Sequence, residues 1–138
     1  MGLAERRRIA AIKQKAAAIQ PQVNVALGFD LPITLDVGSF PEDKDILDFY
    51  EWNESEYGLP MILRIVKDIC KDDIGKEAFT EKVQSIEVVN SSKSNDRPGL
   101  RSVELLPDGK LVIKYGFDRT NSDIWSEEPL RTTLENML

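Results

Sequence analysis

Pro107-Asp108-Gly109 stands between two alternating runs, and it limits the possible folds more than any other stretch. Pro and Asp start a type I turn, and Gly takes the left-handed position that closes a hairpin. Val103 and Leu105 alternate with polar residues over Arg101–Leu106; Leu111, Ile113 and Tyr115 alternate over Lys110–Tyr115. A period of two places each apolar set on one face of a sheet. Ser85–Val89 reads as a further strand, separated from the hairpin by the polar loop Asn90–Gly99, NSSKSNDRPG. The three strands are expected to form an antiparallel meander. Leu31–Val37 also alternates, with Leu31, Ile33, Leu35 and Val37 on one side. Pro32 near its start makes it an edge strand and a fourth member of the sheet.

The rest of the chain has helical periodicity. Ile9, Ile12, Ala16, Ile19, Val23 and Leu27 recur at spacings of three and four. Pro21 interrupts this run without changing its phase, which predicts a kink or a second helix beginning there, and Gly28 supplies a stop. Leu59–Cys70 is the most hydrophobic helix, with Pro60 in its first turn and a wide apolar face of Leu59, Ile62, Leu63, Val66, Ile69 and Cys70. Asp72-Asp73 caps a short helix over Ile74–Val83. A last helix starts near Ser126 and carries Leu130, Leu134, Met137 and Leu138 as its stripe. The expected fold is α+β: a two-layer sandwich in which helices cover an antiparallel sheet of three to four strands, with helices at both termini. The 138 residues show no internal repeat and no linker, so residues 1–138 read as a single domain.

Charge is concentrated in Glu42–Tyr57, EDKDILDFYEWNESEY. Seven acids against Lys44 give this segment −6, which is also the net charge of the whole chain. Acids fall at every third position from Glu42 to Glu54, and Phe49, Tyr50, Trp52 and Tyr57 are threaded among them. The spacing predicts an amphipathic helix over about 43–52 with a looser end. Ile46, Leu47, Phe49, Tyr50 and Tyr57 would face inward, while Trp52 falls on the acidic side and would be exposed. Such a face is either plain solvation or a recognition surface, on which like charge steers a basic partner and an exposed aromatic supplies contact.

The basic N-terminal segment pulls the other way. Arg6, Arg7, Arg8, Lys13 and Lys15 against Glu5 give it +4. Without interleaved aromatics it is a poor nucleic-acid footprint. Lys13 and Lys15 interrupt what would be the apolar core of a signal peptide. Although basic and nearly free of acids, as mitochondrial presequences are, the segment is expected to be an integral helix. It either solvates or pairs with the acidic segment. Pairing within one chain would neutralise the acidic surface; pairing between two chains would make a dimer.

Several chemistries are excluded. The chain has no histidine, which removes Ser-His-Asp and Cys-His nucleophile systems and histidine metal ligands. One cysteine allows no internal disulfide, and Cys70 is expected to be a buried structural residue. No phosphate-binding glycine loop is present. Two calcium-loop placements, at Asp43–Asp48 and Asn53–Gly58, both fail in ligand positions. The polar run Asp118–Asp123 either lines a site or simply connects.

These observations lead to a small, soluble, cytoplasmic protein that binds another protein through a basic surface on that partner, with no cofactor, nucleic acid or membrane. Asp45, Asp48, Glu51 and Glu54 would supply the electrostatics and Trp52 the contact. One concrete form is an acidic inhibitor or immunity-type protein covering the basic active site of an enzyme that acts on nucleic acid. Two other classes stay open: an enzyme using carboxylates or an oxygen-ligated metal, and a self-associating subunit, a homodimer joined through its basic helix or its edge strand.

Overall fold

The computed structural model describes residues 2–120 and 123–138. In chain order the elements are α1 (Leu3–Ala17), α2 (Ile19–Leu27), β1 (Ile33–Leu35), a 3-10 turn (Val37–Ser39), α3 (Lys44–Tyr57), α4 (Leu59–Ile69), α5 (Asp73–Lys82), β2 (Ser85–Asn90), β3 (Ser102–Leu105), β4 (Lys110–Tyr115) and α6 (Glu127–Met137). The architecture is α+β.

Local chemistry sets most boundaries. Pro21 has no N–H to give Ala17, and the helical run breaks at Ala18, between α1 and α2. Gly28 ends α2 in the left-handed conformation, φ 74°. Asp43 caps α3 by accepting from the backbone N–H groups of Asp45 and Ile46, and Asp72 caps α5 by accepting from Gly75. α3 runs on to Tyr57, one turn beyond the expected end near residue 52, and Gly58 stops it. Gly109 takes φ 89° in the hairpin turn, and Gly109 N–H donates to Leu106 C=O at 3.0 Å.

The sheet has four strands in the order β1-β2-β4-β3. β1 lies on an edge, as Pro32 suggested. The expected antiparallel meander is not what forms. β2 runs parallel to both β1 and β4, and only β3 and β4 are antiparallel, so the sheet is mixed. Burial gives the physical reason. β4 buries Leu111, Ile113 and Tyr115 completely or nearly so, whereas β3 offers only the half-buried Val103 and Leu105. The more apolar strand takes the central place. The connection from Ser91 to Arg101 is long enough to carry β3 past it, to the outer edge.

One face of the sheet is the core face. Ile33, Ile86, Val88, Leu111, Ile113 and Tyr115 are buried there. Thr34, Glu104 and Lys114 on the opposite face are exposed, and Lys110 pairs with Glu87 at 3.4 Å. Among the helices α4 is central and touches α2, α3, α5 and α6. Its Met61, Ile62, Ile65 and Val66 are fully buried. Cys70, just past its end, is half-buried rather than buried, and burial pushes its thiol pKa up. Beneath α3, Phe40, Tyr50, Tyr115 and Phe117 form an aromatic cluster, with Tyr115 and Phe117 stacked at 4.8 Å. The Tyr115 hydroxyl donates to the Tyr57 carbonyl at 2.7 Å and fixes the end of α3 to the sheet.

Candidate functional site

The amphipathic phase of α3 gives it three sides. Ile46, Leu47 and Tyr50 face the core. A second side carries Asp48, Glu51 and Glu54 and meets α1. Arg8 Nη2 donates to Asp48 Oδ1 at 2.7 Å, and Arg8 Nε donates to Glu51 Oε1 at 3.0 Å. Lys15 pairs with Glu54, and Arg6 approaches Glu42 at 3.6 Å. Lys44 completes the set on Asp48 at 2.8 Å. The partners follow the same order along both helices, so α1 and α3 run in the same direction.

Ion pairing within one chain is thus the arrangement adopted by the basic segment: three of its five cations, Arg6, Arg8 and Lys15, engage four acids of the acidic stripe. Hydrogen bonds from Lys44 and Arg8 hold the Asp48 carboxyl below the usual carboxylate range. Burial works against the charge of Arg8, but Asp48 and Glu51 more than offset it and raise its pKa. The hydrogen bond with Glu54 likewise raises Lys15. One acid departs from the expected solvent-facing pattern. Glu54 is only 9% exposed, because Ala16 and Lys15 of α1 close over that side of the helix.

The third side of α3 faces solvent and carries Asp45 and Trp52, seven residues apart and therefore nearly in line. Trp52 is 63% exposed, as its phase required. The Arg119 guanidinium lies 4.3 Å from its ring centroid, a cation–π stack. Asn95 joins the two residues: its side-chain amide donates to Asp45 Oδ2 at 3.2 Å, and its Oδ1 accepts from Arg119 N–H at 3.0 Å. Asp45, Asn95, Arg119 and Trp52 thus form one connected surface. Asp45, Asp48, Glu51, Trp52 and Glu54 all lie on α3, but the structure divides them between the two sides.

Asn95 and Arg119 were not among the sequence candidates. Arg119 lies in the polar run Asp118–Asp123, of which Asn121 and Ser122 fall outside the described residues. Its place over Trp52 depends on a contact spanning more than sixty residues, which no local pattern signals. The base of this surface is a buried polar network. Ser92 Oγ donates to Asp118 Oδ2 at 2.6 Å, and Gly99 N–H donates to Ser92 Oγ at 3.0 Å. This ties the β2–β3 connection to the chain leaving β4.

Between α1 and α3 lies a cleft of about 280 Å³, lined by Arg8, Ala11, Ile12, Lys15, Ala16, Tyr50, Glu51 and Glu54. Among the described residues no group of three or more Cys, Asp or Glu side chains is arranged to hold a metal ion. No helix among them is long and apolar enough to cross a membrane. No protein-family model matches the chain, and no curated protein or solved structure matches it either.

Proposed function

We propose that the protein acts by binding another protein, with the solvent-facing side of α3 as its contact surface and Trp52 as the anchor. The observation that carries this reading is the exposure of Trp52 on a rigid helix, its ring held under Arg119. Tryptophan and arginine are enriched among the residues that dominate binding energy. An anchor already held in place loses less conformational entropy on docking. The net charge of −6 favours a partner with a basic surface and speeds its approach. An inhibitor or immunity-type protein is the concrete form of this reading. A two-layer arrangement, with helices on the core face of the sheet, would present α3 at the surface. The single half-buried cysteine suits a cytoplasmic setting.

The carboxylate-enzyme alternative has less support, because Glu51 and Glu54 in the cleft are each engaged by a cation of α1. Self-association through the basic helix is likewise weakened, since Arg6, Arg8 and Lys15 are paired within the chain.

The test compares wild type with W52A as baits in a native extract at low salt. Neutralising the acids is a poorer choice, since it would also unpair α1. A protein held by wild type, released by W52A and eluted by salt is the expected result. Identical captures by both, with circular dichroism showing both folded, would remove Trp52 from the binding role.

A further inference from the structure

The cleft between α1 and α3 exists because small side chains face a large one. Ala16 on α1 lies across from Tyr50 on α3, and Ala11 at the rim fills little of the gap. Ile12, Ala16 and the Tyr50 ring make the buried floor, while Arg8 with Glu51 and Lys15 with Glu54 form the walls.

Two observations single out the Glu54 end. First, the Glu54 side chain is only 12% exposed and is paired with Lys15, whose side chain is 73% exposed. A long exposed lysine gives up much rotamer freedom to stay in one place and is readily displaced. Second, Tyr50 is 4% exposed as a residue and lines the cleft, and its hydroxyl keeps access to solvent there without a hydrogen bond to another described group. A hydroxyl at the floor of an open cleft is satisfied by water and can exchange that water for a polar group of a ligand. Burial, and after it the charges of Glu54 and Glu51, keep this hydroxyl neutral, so it can both donate and accept.

The sign of the ligand follows from what is already engaged. Arg8 is held by Asp48 and Glu51 at 2.7 and 2.9 Å, so it is not free to receive an anion, and the two glutamates would repel one. We propose that this cleft binds an alkylammonium group, with Glu54 as its counter-ion, the Tyr50 oxygen as a further acceptor, and Ile12 and Ala16 as the wall for the alkyl stem. Lys15 of the chain itself occupies the cation position until the ligand displaces it. The ammonium can belong to a free amine or to a lysine side chain. The site is on the opposite side of α3 from Trp52 and does not depend on the contact surface proposed above.

The test follows backbone amide shifts of the labelled protein by NMR during titration, at constant ionic strength, with butylammonium chloride and separately with N-acetyl-lysine methylamide. Saturable shifts centred on Ala16, Tyr50 and Glu54, in the millimolar range typical of so small a ligand, are expected. Glu54→Gln should weaken binding about tenfold or more, as loss of a charged hydrogen-bonding partner does. Lys15→Ala should tighten it about threefold or more by removing the internal competitor. Ala16→Leu, which fills the cleft without touching a charge, should abolish it. Binding of both probes assigns the site to lysine side chains as well as free amines; binding of butylammonium alone assigns it to free amines. The proposal is overturned if butylammonium gives no saturable shifts, or if Ala16→Leu and Lys15→Ala both bind as wild type. W52A is expected to bind butylammonium normally, so failure here is distinguishable from failure of the Trp52 surface.

Discussion

Tyr50 and Tyr115 belong to one aromatic cluster, and burial pushes both phenols well above the ordinary tyrosine range. Glu54 and Glu51 add to the shift at Tyr50, and Tyr50 itself adds to the shift at Tyr115. The unfolded chain releases these protons near pH 10 while the folded chain keeps them. Their contribution to stability is therefore complete below that pH and is lost as pH rises above it. Each should lower the unfolding free energy by about 1.4 kcal/mol per pH unit in this range. Urea denaturation from about pH 8 to about pH 11 would show this, with tyrosinate absorbance of the two appearing only as the fold opens. Absorbance that rises to include all three tyrosines while the circular dichroism stays native would contradict the burial. At this scale the sequence was informative where phase alone decides. Ile46, Leu47 and Tyr50 point inward and Trp52 outward, because a 3.6-residue period fixes the direction of each. Glu54 defeated the same reasoning, since its burial is imposed by α1 and not by its own helix.

Among the elements, α1 combines little buried surface with three ion pairs to α3. Of its fifteen residues only Ile12 and Ala16 are buried, whereas α4 buries five of eleven. Its ion pairs with α3, and with Glu42 just before it, each leave at least one partner partly exposed, and such pairs are individually weak and screened by salt. Amide hydrogen exchange is therefore expected to be faster in α1 than in α4, with the gap widening as salt is raised and in Arg8→Gln. Acid should act in the same direction. The Asp48 pKa is depressed by its partners, so its pairing persists below the usual carboxylate range and is lost as pH falls through its own lowered value. Protection of α1 equal to that of α4 at high salt would show that packing holds it instead. The sequence anticipated pairing of these two segments as one of its alternatives, because complementary charge is visible in composition. It misjudged the sheet for a related reason. Alternation identifies strands but carries no information about neighbours, and a long connection such as residues 91–101 frees the next strand from pairing with the last.

At the scale of the whole molecule, Asn90 links parts that the chain keeps far apart. It is 2% exposed, and its side-chain amide donates to Ser39 C=O at 3.2 Å and Ser92 C=O at 2.7 Å. Its Oδ1 accepts from the N–H groups of Ser92 at 3.2 Å and Phe117 at 3.3 Å. One side chain thus fastens the turn after β1, the β2–β3 connection and the segment after β4 at one end of the sheet. The last two carry Asn95 and Arg119, so the geometry around Trp52 rests on this fastening. Asn90→Ala would leave two buried backbone N–H groups without their acceptor, at a cost of about 3 kcal/mol to the global fold. It should also loosen Arg119 over the indole. Both effects can be read in a W125F background, where Trp52 is the remaining tryptophan. Urea denaturation would give the first, and stronger acrylamide quenching of Trp52 under native conditions the second. A variant within about 0.5 kcal/mol of its parent, with quenching unchanged, would mean that the surface at α3 is held by its own contacts. Loss of stability with unchanged quenching would confine Asn90 to the core. Only the combined result makes the exposed tryptophan part of a structure that begins at the buried end of the sheet.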